Sequence, residues 1–338
     1  MWAITAALPE QVEEAAAVAA AVDGLPAPEG IINVVALGMG GSGIGGDVLA
    51  AIAGPLLGVP VVVVKDYTCP AFVGPGSLVF ASSYSGNTEE TVTAATEAAG
   101  RGARLVVVAG GGRLGELARS WNAPVVGLPT APWPRAAFGA MAVTPLVLLA
   151  RLGLLPDVAD AVAAAVGQLR RRRDTLVAAG SAGDAAVIAR RIGRTIPLVH
   201  GGGPLGAAAA LRWKCQINEN PKAPAFWSVQ PELCHNEVTG WGQHGDVTRQ
   251  LITLVLLRHD FEHPQVGRRF GLVRELVDEV VAASITVEAQ GDGPLAQLFD
   301  LALIGDFVSL YLAAAEGIDP GPIPILTELK DALAGPPG

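Results

Sequence analysis

Short apolar runs ending in glycine-rich turns alternate along this chain with Ala-rich stretches of helical character. After a helical segment over residues 10–22, residues 31–37 form a β-branched run, followed by the glycine loop GMGGSGIGGD and an apolar helix over residues 47–53. The order predicts strand, glycine turn, helix. Further strands are expected over residues 61–64, 77–81 and 104–109, with helices over 88–99, after SSYSGNT, and 113–120. Strands apolar on both faces that alternate with helices predict a parallel α/β sheet.

The same order recurs in the second half. Residues 195–200 end in Gly201-Gly202-Gly203, a helix runs through 207–215, and strands over 251–258 and 284–288 alternate with helices over 266–281 and 295–316. The expected architecture is therefore α/β, two tandem αβα sandwiches with parallel sheets, over residues 1–150 and 151–338. Helical Ala/Val/Leu periodicity within residues 142–175 carries the chain across the boundary. The copies differ at equivalent loops. The first has Ser82-Ser83-Tyr84-Ser85-Gly86-Asn87-Thr88, small hydroxyls and a glycine, whereas the second has His259-Asp260-Phe261-Glu262-His263. Only the first has the space to cradle an anion.

Composition narrows the function classes. With 338 residues, the chain is long enough to bury a core without staples, and its three cysteines, Cys69, Cys215 and Cys234, form neither a CxxC pair nor a secreted framework. A cytoplasmic compartment is the expectation. The net charge of −9 argues against nucleic acid and anionic membrane as partners, so an anionic ligand needs a local site of neutral or cationic donors. The uncharged stretches 48–64 and 195–211 are broken by Gly and Pro, and none reads as a spanning helix. The first residues carry no basic stretch of the kind a signal peptide needs.

Three readings compete for the glycine loop, the plainest being that its glycines only make a tight strand-to-helix turn. Gly38, Gly40 and Gly43 satisfy GxGxxG after a strand, and Asp66 closes the next strand where a dinucleotide-binding protein keeps its ribose acid. The alternative is a phosphosugar site, favoured by Ser83, Ser85 and Thr88 at the start of a helix whose free N–H groups and dipole suit one phosphate. Plain N-capping by Thr88 or Ser85 accounts for one hydroxyl, not for the whole group.

Elsewhere, the densest polar cluster is Asn218-Glu219-Asn220-Pro221-Lys222, followed by Pro231-Glu232-Leu233-Cys234-His235-Asn236-Glu237. Glu219 closes a predicted helix, where the dipole raises a carboxyl pKa and suits it to general-base work; a structural ion pair with Lys222 is the competing reading. Arg135, in Ala131-Pro132-Trp133-Pro134-Arg135, has no acidic neighbour in sequence and awaits an anionic ligand, a remote ion pair or Trp133. His259 and His263, four apart, fit a metal pair less well than a solvated loop, and Arg170 to Arg173 read as a solvated helix face. Trp213, Trp227 and Trp241 are expected in the core. No GxSxG, P-loop or HExxH occurs.

Taken together, GMGGSGIGGD, SSYSGNTEE, PRAAF and INENPKAPAFWSVQPELCHNE resemble the bifunctional phosphoglucose/phosphomannose isomerase family, built from two sugar-isomerase (SIS) domains. The likeness spans nearly the whole chain. It implies isomerisation of glucose 6-phosphate, and of mannose 6-phosphate, to fructose 6-phosphate without metal or other cofactor. By resemblance, Gly41, Ser42, Ser83, Ser85 and Thr88 bind phosphate, Arg135 stabilises the enediolate and Glu219 transfers the proton between C1 and C2. His235 then acts in ring opening, reaching the site from a neighbouring subunit of a homodimer, and Lys330 partners the ring oxygen. The family carries a hydroxyl residue before that lysine, associated with mannose use; in residues 319–327 only Thr327 offers one. A non-catalytic phosphosugar regulator and a dinucleotide oxidoreductase are the rival readings.

Overall fold

The computed structural model describes residues 1–129 and 131–334. Helices α1 (Trp2–Ala6) and α2 (Leu8–Ala21) precede β1 (Asn33–Leu37), α3 (Gly40–Ala53), β2 (Val61–Val64) and β3 (Ser77–Ser83). Then come α4 (Glu89–Gly100), β4 (Arg104–Ala109), α5 (Gly112–Ser120) and β5 (Val125–Gly127). Three helices, α6 (Phe138–Arg151), α7 (Ala159–Ala179) and α8 (Asp184–Ile192), lead to β6 (Ile196–Gly202), α9 (Gly203–Glu219) and β7 (Phe226–Gln230). The remainder is α10 (Glu237–Gly240), α11 (Gly245–Leu251), β8 (Ile252–Arg258), α12 (Pro264–Val277), β9 (Ala283–Glu288), α13 (Pro294–Ala315) and α14 (Pro324–Ala334).

The strands form two all-parallel sheets, ordered β2-β1-β3-β4-β5 and β7-β6-β8-β9. In each, the order reverses beside the first strand, between β1 and β3 and between β6 and β8. Loops at such a reversal diverge and leave a crevice beyond the carboxyl ends of the strands.

One apolar core lies between the sheets, running from Leu8 and Val34 through Phe138 and Val199 to Phe299 and Leu312. Smaller clusters back the outer faces, under α4 and α5 on one side and α12 on the other. Helix α13 is the centre of the common core. It is long and apolar enough to cross a membrane, a feature passed over in the sequence, but it is mostly buried within this fold. Its two carboxylates are paired: Arg172 of α7 binds Asp300 at 2.7 and 2.6 Å, and Arg212 of α9 binds Asp306 at 3.0 and 2.7 Å. Arg172 is thus not on a solvated face as the arginine run suggested; a buried carboxylate needs such a partner. Helix α9 is locked to α13 by Trp213, whose indole N–H donates to the Leu301 carbonyl at 2.7 Å and whose ring lies flat against Gly305. Trp213 is a core residue as expected, but Trp227 is 36% exposed on the edge strand β7.

The glycine loop differs from expectation. Helix α3 begins at Gly40, not near Asp47, so the glycines form its first two turns. Glycine disfavours a helix interior, yet close packing requires it here. A Cβ at Gly41 would lie 2.9 Å from the Arg135 amide nitrogen, and one at Gly43 would lie 2.7 Å from the Gly38 carbonyl oxygen. One at Gly45 would sit 2.4 Å from the Met141 carbonyl oxygen. The glycines let α3 lie directly on β1, α6 and the Arg135 turn.

In a free helix Gly45→Ala would gain about 1 kcal/mol. Against the Met141 backbone the sign reverses, and urea unfolding should show a loss of about 1–3 kcal/mol. A variant as stable as the parent would mean that α3 and α6 are not in this contact.

Candidate active site

The crevice of the first sheet opens between the β1–α3 turn and the β3–α4 loop. Gly86, with φ +69°, turns that loop so tightly that a Cβ would overlap the Gly111 carbonyl; Leu114 N–H donates to the Gly86 carbonyl at 2.8 Å, fixing the loop against α5. Across the crevice, Tyr84 N–H donates to Ser42 Oγ at 2.9 Å. Tyr84 also exchanges hydrogen bonds through its phenol with the backbone of Ala131, four residues before Arg135. Sequence reasoning did not single out Tyr84, yet it ties together the glycine turn, the hydroxyl loop and the arginine turn.

The hydroxyls are partly paired with one another and with the backbone. Ser83 Oγ and Thr88 Oγ1 share one hydrogen bond at 2.8 Å, and Ser85 Oγ accepts from Asn87 N–H at 3.1 Å. Ser42 and Ser85 each use their oxygen as an acceptor, and among the described residues neither O–H has an acceptor. Thr88 occupies the N-cap position of α4 but makes no capping bond, and α3 likewise starts without a side-chain cap. The N-capping reading therefore fails for Thr88. Two helix starts without side-chain caps and two hydroxyls with no acceptor among the described residues can hold an anion without formal positive charge.

Gly41 connects this site to Arg135, since its α-carbon lies against the Arg135 backbone. The Arg135 side chain is only 2% exposed, and its Nη1 lies 3.5 Å from Glu219 Oε2. The guanidinium also stacks on Trp133, 5.3 Å from the ring centroid. Nε donates to Asn220 Oδ1 at 3.0 Å and Nη2 to the carbonyls of Pro320 and of Gly321, the latter at 2.7 Å. Nη1 has no hydrogen-bond partner among the described residues. It is the one end of the fork left for a ligand.

Glu219 is the last residue of α9, as the sequence indicated. Its carboxyl is held above the ordinary glutamate value chiefly because burial strips its water; the nearby cations, Arg135 foremost, pull the other way. Burial is the largest of these influences. The suggested pair with Lys222 is not formed: the Lys222 ammonium donates to the main-chain carbonyls of Glu219 at 2.8 Å, Asn220 at 3.2 Å and Asp319 at 3.0 Å. A carboxylate with raised affinity for protons, one side facing a buried guanidinium, can take and return a proton beside developing negative charge.

Two expected residues stand apart. His235 ends a 3-10 turn, Glu232–His235, and is exposed, its side chain making no hydrogen bond among the described residues; two residues on, Glu237 anchors that segment to β6 and β7 through His200 Nε2 at 2.8 Å and through Ser228. Lys330 is exposed on α14, as is Thr327. The helix hangs from the Asp319–Gly321 segment held by Arg135 and Lys222, but neither side chain contacts Glu219 within one chain.

A bifunctional phosphoglucose/phosphomannose isomerase of Caldicellulosiruptor bescii is 35% identical over 97% of this chain and 97% of its own. The Aquifex aeolicus protein of that name is 35% identical over 89% and 90%. The chain belongs to that family. The model of the bacterial phospho-glucose isomerase C-terminal SIS domain matches residues 181–333. The fold is shared more widely: the C-terminal domain of glucosamine-fructose-6-phosphate aminotransferase from Francisella tularensis superposes with a TM-score of 0.71 at 15% identity, covering 94% of this chain and 97% of that one.

In this phosphoglucose/phosphomannose isomerase family member the second crevice is closed by its own side chains. Glu262, paired with Arg258 at 2.8 Å, fills the space over Gly202, where a Cβ would lie 3.1 Å from its Cγ. His259 is buried, not solvated: Nε2 bonds to the Gly202 carbonyl at 2.8 Å while Nδ1 accepts from Phe261 N–H at 3.2 Å. His263 caps α12 by accepting from Gln265 N–H. The two histidines thus serve separate backbone contacts. Asp66 is likewise spoken for, accepting from Tyr67 N–H at 2.6 Å in its own turn, so the ribose-acid reading has no support here.

Ser42→Ala leaves the Tyr84 N–H in the crevice without its acceptor, and chemical denaturation should register a loss of about 1–3 kcal/mol. The same variant should also weaken inorganic phosphate binding. Unchanged stability and affinity would remove Ser42 from this role.

Proposed function

We propose that the chain interconverts glucose 6-phosphate and fructose 6-phosphate, and also accepts mannose 6-phosphate, through a cis-enediol intermediate. The observation that carries this reading is the largely buried Glu219 carboxyl beside the uncommitted Nη1 of Arg135, joined through Gly41 to a crevice lined by the hydroxyls of Ser42, Ser83, Ser85 and Thr88. Phosphate binds Gly41, Ser42, Ser83, Ser85 and Thr88, so binding energy from a non-reacting group places the carbons.

Ring opening precedes proton transfer. The partner subunit's His235, with Lys330 near the ring oxygen, moves the proton between O1 and the ring oxygen. A homodimer with shared sites is part of the proposal; the His235 side chain is solvent-facing and makes no hydrogen bond among the described residues, which supports a role across an interface. Glu219 then takes the C2 proton of the open aldose. As the C–H bond breaks, its electron pair forms the C1–C2 double bond and charge gathers on O1, where Arg135 Nη1 donates. After the hydroxyl proton moves from O2 to O1, Glu219 returns its proton to C1 and the ketose results. The division near residue 150 also belongs to this reading, the first half supplying phosphate binding and the second the base.

Glu219→Gln should lower kcat by about 10²- to 10⁴-fold with phosphosugar affinity kept, measured by a coupled assay and calorimetry. Parental turnover in this variant would end the proposal. The base works ionised, so activity is present above its pKa and lost as pH falls through it; because that pKa is raised, the acid limb of kcat/KM should lie above 4.5. A limb at or below that value would mean Glu219 is not the titrating base.

Mixing Glu219→Gln with His235→Ala, each inactive alone, tests the shared site. Subunit exchange should restore about 25% of parental activity, since half the dimers are mixed and each carries one intact site. No recovery after verified exchange would place His235 and Glu219 in the same chain's site or remove His235 altogether.

A further inference from the structure

Arg135 and Glu219 could in principle form a two-pronged ion pair, the commonest strong arrangement of guanidinium and carboxylate. Such a clamp would neutralise the base and occupy the donors a substrate needs. The chain prevents it: Nε is given to Asn220 Oδ1 and Nη2 to the carbonyls of Pro320 and Gly321, so only Nη1 faces Glu219, at 3.5 Å.

The Asn220 amide is itself fixed. Asn220 is fully buried, and its Nδ2 donates to Ser309 Oγ at 2.8 Å. Ser309 spends its hydroxyl proton on the Asp306 carbonyl at 2.6 Å, so it can only accept from Asn220. The amide oxygen must therefore face Arg135, and a flipped amide would set two donors against each other. Helix α13 holds the arginine from a second direction, since Asp306 grips Arg212, whose Nη2 donates to the Arg135 carbonyl at 3.2 Å.

We infer that Asn220 is a positioning residue for the isomerisation: by holding Nε of Arg135, it keeps the guanidinium turned edge-on, so that Glu219 stays a free base and Nη1 stays available to the enediolate oxygen. This rests on the proposed role of Glu219. The charged groups around the pair are few. Arg135, Arg212, Lys222 and Lys214 act on Glu219, while Glu219, Arg212, Asp306 and Asp319 act on Arg135; the Cys215 thiol lies beside Glu219. Lys222 is already committed to three carbonyls and Arg212 to Asp306; of the remaining two, Arg135 and Lys214, Arg135 is the one whose charged group lies within 3.5 Å of the Glu219 carboxyl.

The test compares the pH dependence of kcat/KM in the parent, Asn220→Ala and Glu219→Gln. In Asn220→Ala the guanidinium, still held through Nη2 but freed at Nε, swings Nη1 from 3.5 Å into full contact with Glu219. The acid limb should move toward lower pH by about half a unit or more and kcat should fall by about 10²-fold, with KM changed less than about threefold. A merely structural role would lower activity without moving the limb, and that result overturns the inference. Ser309→Ala frees the amide to turn and should shift the limb in the same direction by a smaller amount; it decides the matter if Asn220→Ala does not fold, an unshifted limb again refuting the inference. The Glu219→Gln control separates the two failures. If it is inactive while the limb is unmoved in the other variants, only the role of Asn220 falls; if it is as active as the parent, the base assignment itself falls.

Discussion

A buried guanidinium between two half-chains is the constraint around which this site is built. Arg135 lies in a turn after the first sheet, but its side chain reaches Asn220 and Glu219 at the end of α9 and the carbonyls of Pro320 and Gly321 after α13. Three segments distant in sequence meet on one planar cation. Burying a charge is costly unless all its donors and its field are answered, and here they are answered with one Nη left over. That remaining donor, beside a carboxyl whose proton affinity is raised by burial, is the chemical content of the site.

The scaffold serves this meeting. Two parallel sheets share one core through α13, whose buried Asp300 and Asp306 are tied to α7 and α9. The same Arg212 that pairs with Asp306 holds the Arg135 carbonyl, so the position of the site arginine is set by core packing. On the other side, the glycines of α3 allow the helix to lie against the Arg135 turn, bringing the hydroxyl-lined crevice next to the Arg135–Glu219 pair. The second crevice has the same topology, but Glu262 and His259 fill it. One open crevice and one filled one thus arise from a repeated architecture by a change of loop side chains.

Most strands and the parallel α/β class were legible in the sequence, because apolar runs such as 61–64 and 104–109 leave little alternative to buried strands. The short edge strands β5 and β7 were not: three residues carry little periodic signal, and β7 has exposed Phe226 and Trp227 rather than an apolar face. The start of α3 was misplaced because glycine's low helix propensity was outweighed by close packing, which no local pattern records. The polar positions of the site were legible from chemistry and resemblance, Arg135 and Glu219 among them. What sequence could not supply was their mutual geometry. Arg172 and His259 looked solvated since their partners, Asp300 and the Gly202 carbonyl, are far away along the chain. Tyr84 and Asn220 lay in full view within SSYSGNT and INEN; a phenol among small hydroxyl residues, and an asparagine next to the candidate carboxylate at a helix end, were the available signals.

The central claim is that Glu219 is the proton-transferring carboxylate at the end of a phosphate-anchored sugar chain. A six-carbon polyol 6-phosphate carrying an epoxide at C1–C2 presents an electrophile where the base must act, and the attacking carboxylate becomes an ester as the ring opens. Peptide mass mapping after inactivation should find that ester on Glu219, with glucose 6-phosphate protecting against it. Stoichiometric inactivation with the label on another residue and Glu219 unmodified would contradict the account.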